Sequence, residues 1–468
     1  MKELRRNMRI IMGLVMVLFI GAGVWFGATV YTQGDTWASN VYNPRLENTS
    51  SQRGDITDRD GVTLASTNAD GKREYLSNTQ ARRALSQTVG DTAGMSGSGI
   101  ESFYSATLLD LSTSLTDRLS ELFNDARHVG SSIQITVDAE LQAAVAGAFP
   151  KGYSGAVCIT NYKTGEILAM VSMPNYDPYA LNDSAEGVAD TAYLNRCLQG
   201  LYTPGSIFKI ITLTSALDYD PGVLNQIFTC SGTWEYEGGS IVCMSGRTAH
   251  GDVNLEQAFT KSCNVTFGKL AYQLGMDRLR ATAETFGFNE NFKFGDFVVY
   301  NSSFPESMRN MNSLVWAGIG QGEVLVTPLH MAMISGAVAN GGVMMQPWLV
   351  KNITTALGQT TRKGSANPYR QVMQPDTAQT IAKYMYETVK SGTASRAAIR
   401  GYTVCGKTGS AETSDDKSKA TNAWYTGFVY DDAHPYAVSV VVEEGGSGGN
   451  LAAETAAKAL QYAIQYVG

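Results

Sequence analysis

Hydrophobic and polar positions change their period several times along this chain, and each change predicts a different element. Residues 10 to 30 read IIMGLVMVLFIGAGVWFGATV without a single charge. At about 1.5 Å per residue they cover roughly 30 Å, the thickness of a bilayer's hydrocarbon core. They predict one transmembrane helix. A cleaved signal peptide would have an apolar core of about 7 to 15 residues and a small-residue cleavage site, and this stretch fits neither. Lys2, Arg5, Arg6 and Arg9 precede the span and Asp35 follows it. The positive-inside rule then leaves residues 1 to 9 in the cytoplasm and all beyond the span outside, a single-pass plasma-membrane protein.

Residues 31 to 150 mix turn-rich pieces such as QRGDITDRDG and VGDTAGMSGSG with a helical pattern from Ile100 to Phe123 and a strand signal at SSIQITV. They form an irregular first module that ends in a helix over Ala139 to Ala148. A second unit, residues 151 to 468, opens with an alternating strand at GAVCITN, a turn at Lys163 to Gly165 and a strand at EILAMVS. From Ser206 to Ser335 the pattern is mostly helical. Strand patterns return at Gly401 to Gly409, Ala423 to Tyr430 and Tyr436 to Glu443, before a closing helix over Ala452 to Val467. Helices inserted between the first and last strands of one sheet define an α+β body.

Composition narrows the function. Hydrophobic residues at 44% and charged residues at 17% exclude wholesale disorder. Lys plus Arg number 36 against 43 Asp plus Glu, a net −7, so no basic excess exists to neutralise a phosphate backbone and nucleic acid is excluded as a partner. Four histidines and six cysteines without a CxxC pair offer little to a zinc site. Outside the cytoplasm disulfides can form. Cys230 and Cys243 bracket a Gly-rich stretch that could close as a hairpin, bridged or unbridged, and Cys158, Cys197, Cys263 and Cys405 read as buried packing residues.

Three short motifs carry the chemistry. In TPGSIFK, residues 203 to 209, Ser206 opens a helix whose first turn brings Lys209 to the same face. A hydroxyl there meets the positive end of the helix dipole, and a desolvated lysine can be neutral enough to take its proton. In KSCN, residues 261 to 264, alternation puts Ser262 and Asn264 on one side and Cys263 in the core; the plainer reading is a helix cap. In CGKTGSAE, residues 405 to 412, a strand presents Lys407 and Thr408 while Gly409 leaves room for another backbone; the plainer reading is a lysine protecting an edge strand.

In this order, Ser-x-x-Lys, Ser-x-Asn and Lys-Thr-Gly resemble the signature of penicillin-binding proteins and serine β-lactamases. TVDAELQ at 136 to 142, TGEILAMVSMPNYDP at 164 to 178, NRCLQGLYTPGSIFK at 195 to 209 and GIGQGEVLVTPLHMA at 318 to 332 extend the likeness to the class B transpeptidase domain. NPR at 43 to 45, RGDITDRDG at 53 to 61 and SGIESFY at 98 to 104 resemble that class's non-catalytic N-terminal module. The resemblance implies an antiparallel sheet flanked by helices. It also implies a membrane-anchored peptidoglycan D,D-transpeptidase that acts on D-Ala-D-Ala stem peptides, is acylated by β-lactams, and needs neither metal nor organic cofactor. By resemblance Ser206 is the nucleophile, Lys209 its base and Ser262 a proton relay. Asn264 positions Lys209 and substrate, Lys407 and Thr408 receive the terminal carboxylate beside Gly409, and the backbone N–H groups of Ser206 and Ser410 form the oxyanion hole. These roles require Lys209 neutral and Lys407 charged. A multi-pass membrane glycan polymerase is the partner the resemblance implies.

The first module is too short for a glycosyltransferase domain, and nothing after the closing helix resembles extra C-terminal repeats, which points to a compact class B subgroup. A β-lactamase would place its Ser-x-x-Lys much nearer the N-terminus. A D,D-carboxypeptidase would transfer the same acyl group to water, which product analysis separates. A non-catalytic cell-wall sensor or scaffold would not be labelled by penicillin.

Overall fold

The computed structural model describes residues 2–38, 52–110, 129–181, 190–243, 249–307, 310–413 and 420–467. The first helix, Lys2–Ala38, holds the apolar stretch Ile11–Thr29, long and apolar enough to cross a membrane. From Ile11 to Ala28 its residues are exposed, as lipid-facing ones would be.

The motifs of the first module form two buried polar clusters. Asp58 accepts from the N–H groups of Asp60 (2.9 Å) and Val62 (2.8 Å), which closes the RGDITDRDG turn, and its other oxygen accepts from Ala139 N (3.2 Å). Glu101, from SGIESFY and fully buried, pairs with Arg73 at 2.6 Å and Arg53 at 3.0 Å. A buried carboxylate is tolerable only when paired in this way. Gly54 is needed because a Cβ there would lie 2.1 Å from the Ser131 carbonyl oxygen. NPR at 43 to 45 lies outside the described residues.

The helix read from Ile100 to Phe123 is broken. Two short helices, Ile100–Phe103 and Ser105–Leu108, flank Tyr104, whose backbone leaves the helical region and whose hydroxyl donates to Asp296 at 2.9 Å. A tertiary contact overrides the local pattern, and residues 111–128 lie outside the described residues. The module is also less irregular than its sequence suggests. Strands Ile56–Thr57, Thr63–Thr67, Arg73–Tyr75 and Ser132–Ile135 join Val350–Thr354 and Thr360–Lys363 in a six-stranded sheet. Sequence on both sides of residue 150 therefore shares one sheet. The helix Ala139–Ala148 likewise packs on the body, against strand Ile167–Met173 and the closing helix.

The body is built on a five-stranded antiparallel sheet in the order Val404–Ala411, Asn422–Val429, Tyr436–Val442, Gly155–Asn161, Ile167–Met173. The first and last strands of the sequence pattern are thus neighbours in one sheet, as the α+β reading requires. Val157, Ile159, Val438 and Val440 face the closing helix Leu451–Val467, while Ala156, Cys158, Ala437 and Val441 face a second core. Strands covered on both faces lose polar alternation, so the alternation read at GAVCITN is absent: Gly155 to Thr160 are all buried. That second core is filled by helix Pro328–Ala339, buried over its whole length. A helix apolar all round belongs inside a protein.

Between Ser206 and Ser335 the expected helices are Lys209–Tyr219, Leu255–Thr260, Asn264–Thr285, Met311–Ala317 and Pro328–Ala339. Two small hairpin-like pairings interrupt them. Thr233–Tyr236 pairs with Gly239–Val242, and Phe228–Cys230 pairs with Gly251–Val253. The Gly-rich stretch after Cys230 does close as a hairpin; Cys230 and Cys243 are unbridged, with sulfurs 3.6 Å apart.

Candidate active site

The site forms where the edge strand Val404–Ala411 meets the turn that carries Ser206. Gly205 has a left-handed backbone (φ 59°), and a Cβ on it would sit 2.8 Å from the Ser410 carbonyl oxygen. Gly409 allows the same approach from the other side, since its Cβ would lie 2.8 Å from the Pro204 carbonyl oxygen. The room expected at Gly409 is therefore used by the backbone leading into Ser206. Gly320, from the GIGQGEVLV run, completes the arrangement. Its carbonyl accepts from Gly205 N at 2.8 Å, and a Cβ on it would lie 2.1 Å from the Gly205 oxygen. Tyr202 and Val326 exchange two backbone hydrogen bonds (3.0 and 2.9 Å), and Trp424 Nε1 donates to Thr203 O at 3.1 Å. The turn that carries Ser206 is thus fixed on three sides.

Ser206 lies in a tight 3-10 turn, Gly205–Phe208, which leads directly into helix Lys209–Tyr219. The Ser206 side chain is half-buried, whereas Lys209, one turn on, is wholly buried. Lys209 Nζ donates to Asn264 Oδ1 (2.7 Å), Ser262 O (2.8 Å) and Ser262 Oγ (3.2 Å), and lies 5.4 Å from the centre of the Phe267 ring. Burial pushes its pKa down to about 8, within reach of a neutral amine near physiological pH.

Ser262, Cys263 and Asn264 do not alternate as a strand would. Ser262 has a left-handed backbone (φ 55°) at the end of helix Leu255–Thr260, and Cys263 is the N-cap of helix Asn264–Thr285, its sulfur accepting from Thr266 N at 3.4 Å. The cap reading holds, and the same turn places Ser262 and Asn264 beside Lys209. The turn sends Ser262 and Asn264 to Lys209 and buries Cys263, the outcome expected for a different geometric reason. Asn264 is held from behind, its Nδ2 donating to Val242 O at 2.9 Å.

Lys407 is also wholly buried, and its Nζ donates to Ser262 Oγ (2.9 Å) and Thr408 O (2.9 Å). Ser262 Oγ therefore bridges the two lysines. The expected permanent charge on Lys407 meets opposition here: burial, and then the charge of Lys209, hold its pKa well below the ordinary lysine range. Two ammonium groups around one hydroxyl repel each other, and only an anion placed against them favours both charges. Lys407 is accordingly no exposed edge-strand guard.

Thr408 Oγ1 shares a hydrogen bond of 2.7 Å with Thr393 Oγ1, and Ser410 Oγ accepts from Gly448 N at 3.2 Å. The Ser410 carbonyl accepts from Gln321 Nε2 at 3.4 Å on the side away from the sheet. In a strand the N–H and C=O of one residue point the same way, so the Ser410 N–H faces the Ser206 turn. Sequence reasoning missed Thr393, Gln321 and the Val242 carbonyl. Only GTAS, at 392 to 395, carried a signal, a short polar turn at a helix end. It also missed that Cys230, Cys243, His250 and Cys263, which offer little to a metal when read along the chain, bring their ligand atoms within 4.8 Å of one another.

A serine at a helix start, a buried lysine one turn on and an edge strand turned toward both are the arrangement of a serine acyl-transfer fold. The penicillin binding protein transpeptidase domain family matches residues 155–461, and the chain belongs to that family, as a class B penicillin-binding protein. It is 31% identical over 484 residues to the peptidoglycan D,D-transpeptidase PbpA of Mycolicibacterium smegmatis, covering 96% of each chain. It is 27% identical over 366 residues to MrdA of Haemophilus influenzae, covering 71% of this chain and 56% of that one. Among solved structures, a ceftriaxone acyl-enzyme complex of penicillin-binding protein A from M. tuberculosis superposes with a TM-score of 0.82 at 28% identity, over 90% of this chain and all of the other. The D,D-transpeptidase domain of a peptidoglycan glycosyltransferase from Eggerthella lenta gives 0.77 at 30% identity, over 90% and 100%.

Proposed function

We propose that this chain cross-links peptidoglycan as a D,D-transpeptidase and is acylated by β-lactams at Ser206. The observation that carries the reading is the bridge of Ser262 Oγ between two buried lysines, beside a serine-bearing turn locked against an edge strand. Ser206 Oγ attacks the carbonyl of the penultimate D-Ala, and Lys209 Nζ takes its proton. The N–H groups of Ser206 and Ser410 hold the developing oxyanion. Lys407 and Thr408 hold the terminal carboxylate, whose charge favours the ammonium form of Lys407 and offsets the repulsion that arises once Lys209 has taken the proton. The proton passes through Ser262 to the leaving D-Ala amine. An amine from a second stem peptide then attacks the acyl-enzyme, with Lys209 again as base, and Asn264 keeps Lys209 aimed throughout.

Residues 10–30 anchor the chain with the N-terminus in the cytoplasm and the catalytic body outside. Residues 31–150 serve as a non-catalytic support that shares a sheet with the body, and the span and this support dock a multi-pass glycan polymerase. Relatives named peptidoglycan D,D-transpeptidase over nearly the whole chain support the reading. Incubating the purified chain with a D-Ala-D-Ala stem peptide and an amine acceptor tests it. Cross-linked product in excess of hydrolysed tetrapeptide is expected. Hydrolysis alone makes the protein a carboxypeptidase, and no acylation at all makes it a sensor or scaffold.

A further inference from the structure

Directly behind the Ser262–Asn264 turn, four potential metal ligands from four different segments converge. Cys230 ends the strand Phe228–Cys230, Cys243 follows the strand Gly239–Val242, His250 precedes the strand Gly251–Val253, and Cys263 lies between Ser262 and Asn264. The Cys230 and Cys243 sulfurs are 3.6 Å apart, those of Cys243 and Cys263 3.6 Å, and Cys230 Sγ lies 3.5 Å from His250 Nδ1. In a tetrahedral zinc site, bonds of about 2.3 Å to sulfur and about 2.0 Å to nitrogen put neighbouring ligand atoms roughly 3.5 to 3.8 Å apart. These three spacings match that geometry, and all four ligand atoms lie within 4.8 Å of one another.

The surroundings suit thiolates. Cys243 Sγ accepts from Val265 N at 3.4 Å, and Cys263 Sγ accepts from Thr266 N (3.4 Å) and Thr266 Oγ1 (3.3 Å). These donors come from the first turn of helix Asn264–Thr285, whose free N–H groups favour negative charge. The three cysteines are buried and His250 is half-buried. A disulfide would use two of the sulfurs and leave the third and the imidazole without a role, whereas one tetrahedral ion uses all four.

We propose that Cys230, Cys243, His250 and Cys263 bind one zinc ion that fixes the Ser262–Asn264 turn. As the ion binds, three thiol protons leave to solvent, three Zn–S bonds and one Zn–N bond form, and no electron is transferred. The ion ties both small strand pairings to the segment that holds Ser262 in its left-handed conformation and aims Asn264 at Lys209. Its four ligands close the coordination sphere, so it touches neither substrate nor Ser206, and its ligands are positioning residues.

The test uses the full chain purified in detergent without chelator. Metal content is read by elemental analysis, which does not depend on the transpeptidase reading, and Ser206 acylation by a fluorescent penicillin is read separately. About one zinc per chain is expected in the wild type. His250→Ala, which leaves every cysteine in place, should lose at least about tenfold in zinc affinity. Cobalt bound in place of zinc should give the absorption of a tetrahedral thiolate site. Acylation should slow when the ion is stripped under reducing conditions and recover when zinc alone is added back. A chain that carries a disulfide among Cys230, Cys243 and Cys263 and no zinc overturns the proposal, as does zinc retention unchanged by His250→Ala. Acylation at full rate without the ion overturns its role at the turn.

Discussion

At the scale of single residues, two buried lysines carry the proposed chemistry. Lys209 is held by Asn264 and Ser262, Lys407 by Ser262 and Thr408, and neither reaches water. A general base must be neutral to act, so acylation should rise with pH as Lys209 loses its proton near pH 8, its pKa lowered by burial. Arginine stays protonated. Lys209→Arg should therefore slow penicillin acylation by about 10²-fold or more, the lower range of general-base effects, and abolish the rise toward pH 8. Lys407→Arg should retain more activity and chiefly weaken substrate binding. Stopped-flow acylation across pH 6 to 9 measures both. A Lys209→Arg enzyme that acylates at near wild-type rate, beside an inert Lys407→Arg enzyme, would transfer the base role to Lys407.

At the scale of elements, helix Pro328–Ala339 carries a titration of its own. His330 is fully buried; its Nε2 donates to Phe286 O at 2.8 Å and its Nδ1 accepts from Ser302 Oγ at 2.7 Å, a tautomer that this hydrogen-bond pattern assigns. Burial pushes its pKa down to about 4. An unfolded histidine titrates near 6.5, so below that pH the unfolded chain binds more protons. The stability due to neutral His330 is whole above about pH 6.5 and is lost as pH falls from there toward 4, by up to about 3 kcal/mol. His330→Gln should melt lower at pH 7 but lose less on acidification, and thermal melts at pH 7 and pH 5 compare the two slopes. Parallel slopes would refute this assignment.

The elements also show what a sequence discloses. Strands Gly155–Asn161 and Asn422–Val429 were legible because short stretches rich in β-branched and aromatic residues, bounded by turn residues, have few other solutions, although the alternation read in the first is not one of burial; Ser206 with Lys209 was legible because one helical turn is a local relation. The break at Tyr104 was not legible, since its cause is Asp296, far along the chain. Nor was the convergence of Cys230, Cys243, His250 and Cys263, or the depressed pKa of Lys407. Both depend on which segments pack together, and spacing along one strand does not encode that.

At the scale of the whole molecule, the anchor and the chemistry are separate. The membrane-crossing stretch Ile11–Thr29 contributes no group to the site, which is assembled from residues beyond 200. Deleting residues 1–38 should release a soluble protein that acylates at the rate of the full chain. Sedimentation after a detergent-free wash, together with the acylation rate, checks this; a folded but inactive product would tie the anchor to catalysis. The shared six-stranded sheet makes a different demand at residue 150. A fragment beginning at 151 lacks strand Ser132–Ile135 and helix Ala139–Ala148, and so exposes the apolar faces that they cover.

The central claim is that Ser206 is the group acylated. Labelling the purified chain with a penicillin, digesting it and locating the adduct by mass spectrometry tests that claim most directly. The account predicts one adduct per chain, on Ser206, and no adduct in a Ser206→Ala protein that still melts cooperatively. An adduct on any other serine, or undiminished labelling of Ser206→Ala, would contradict it.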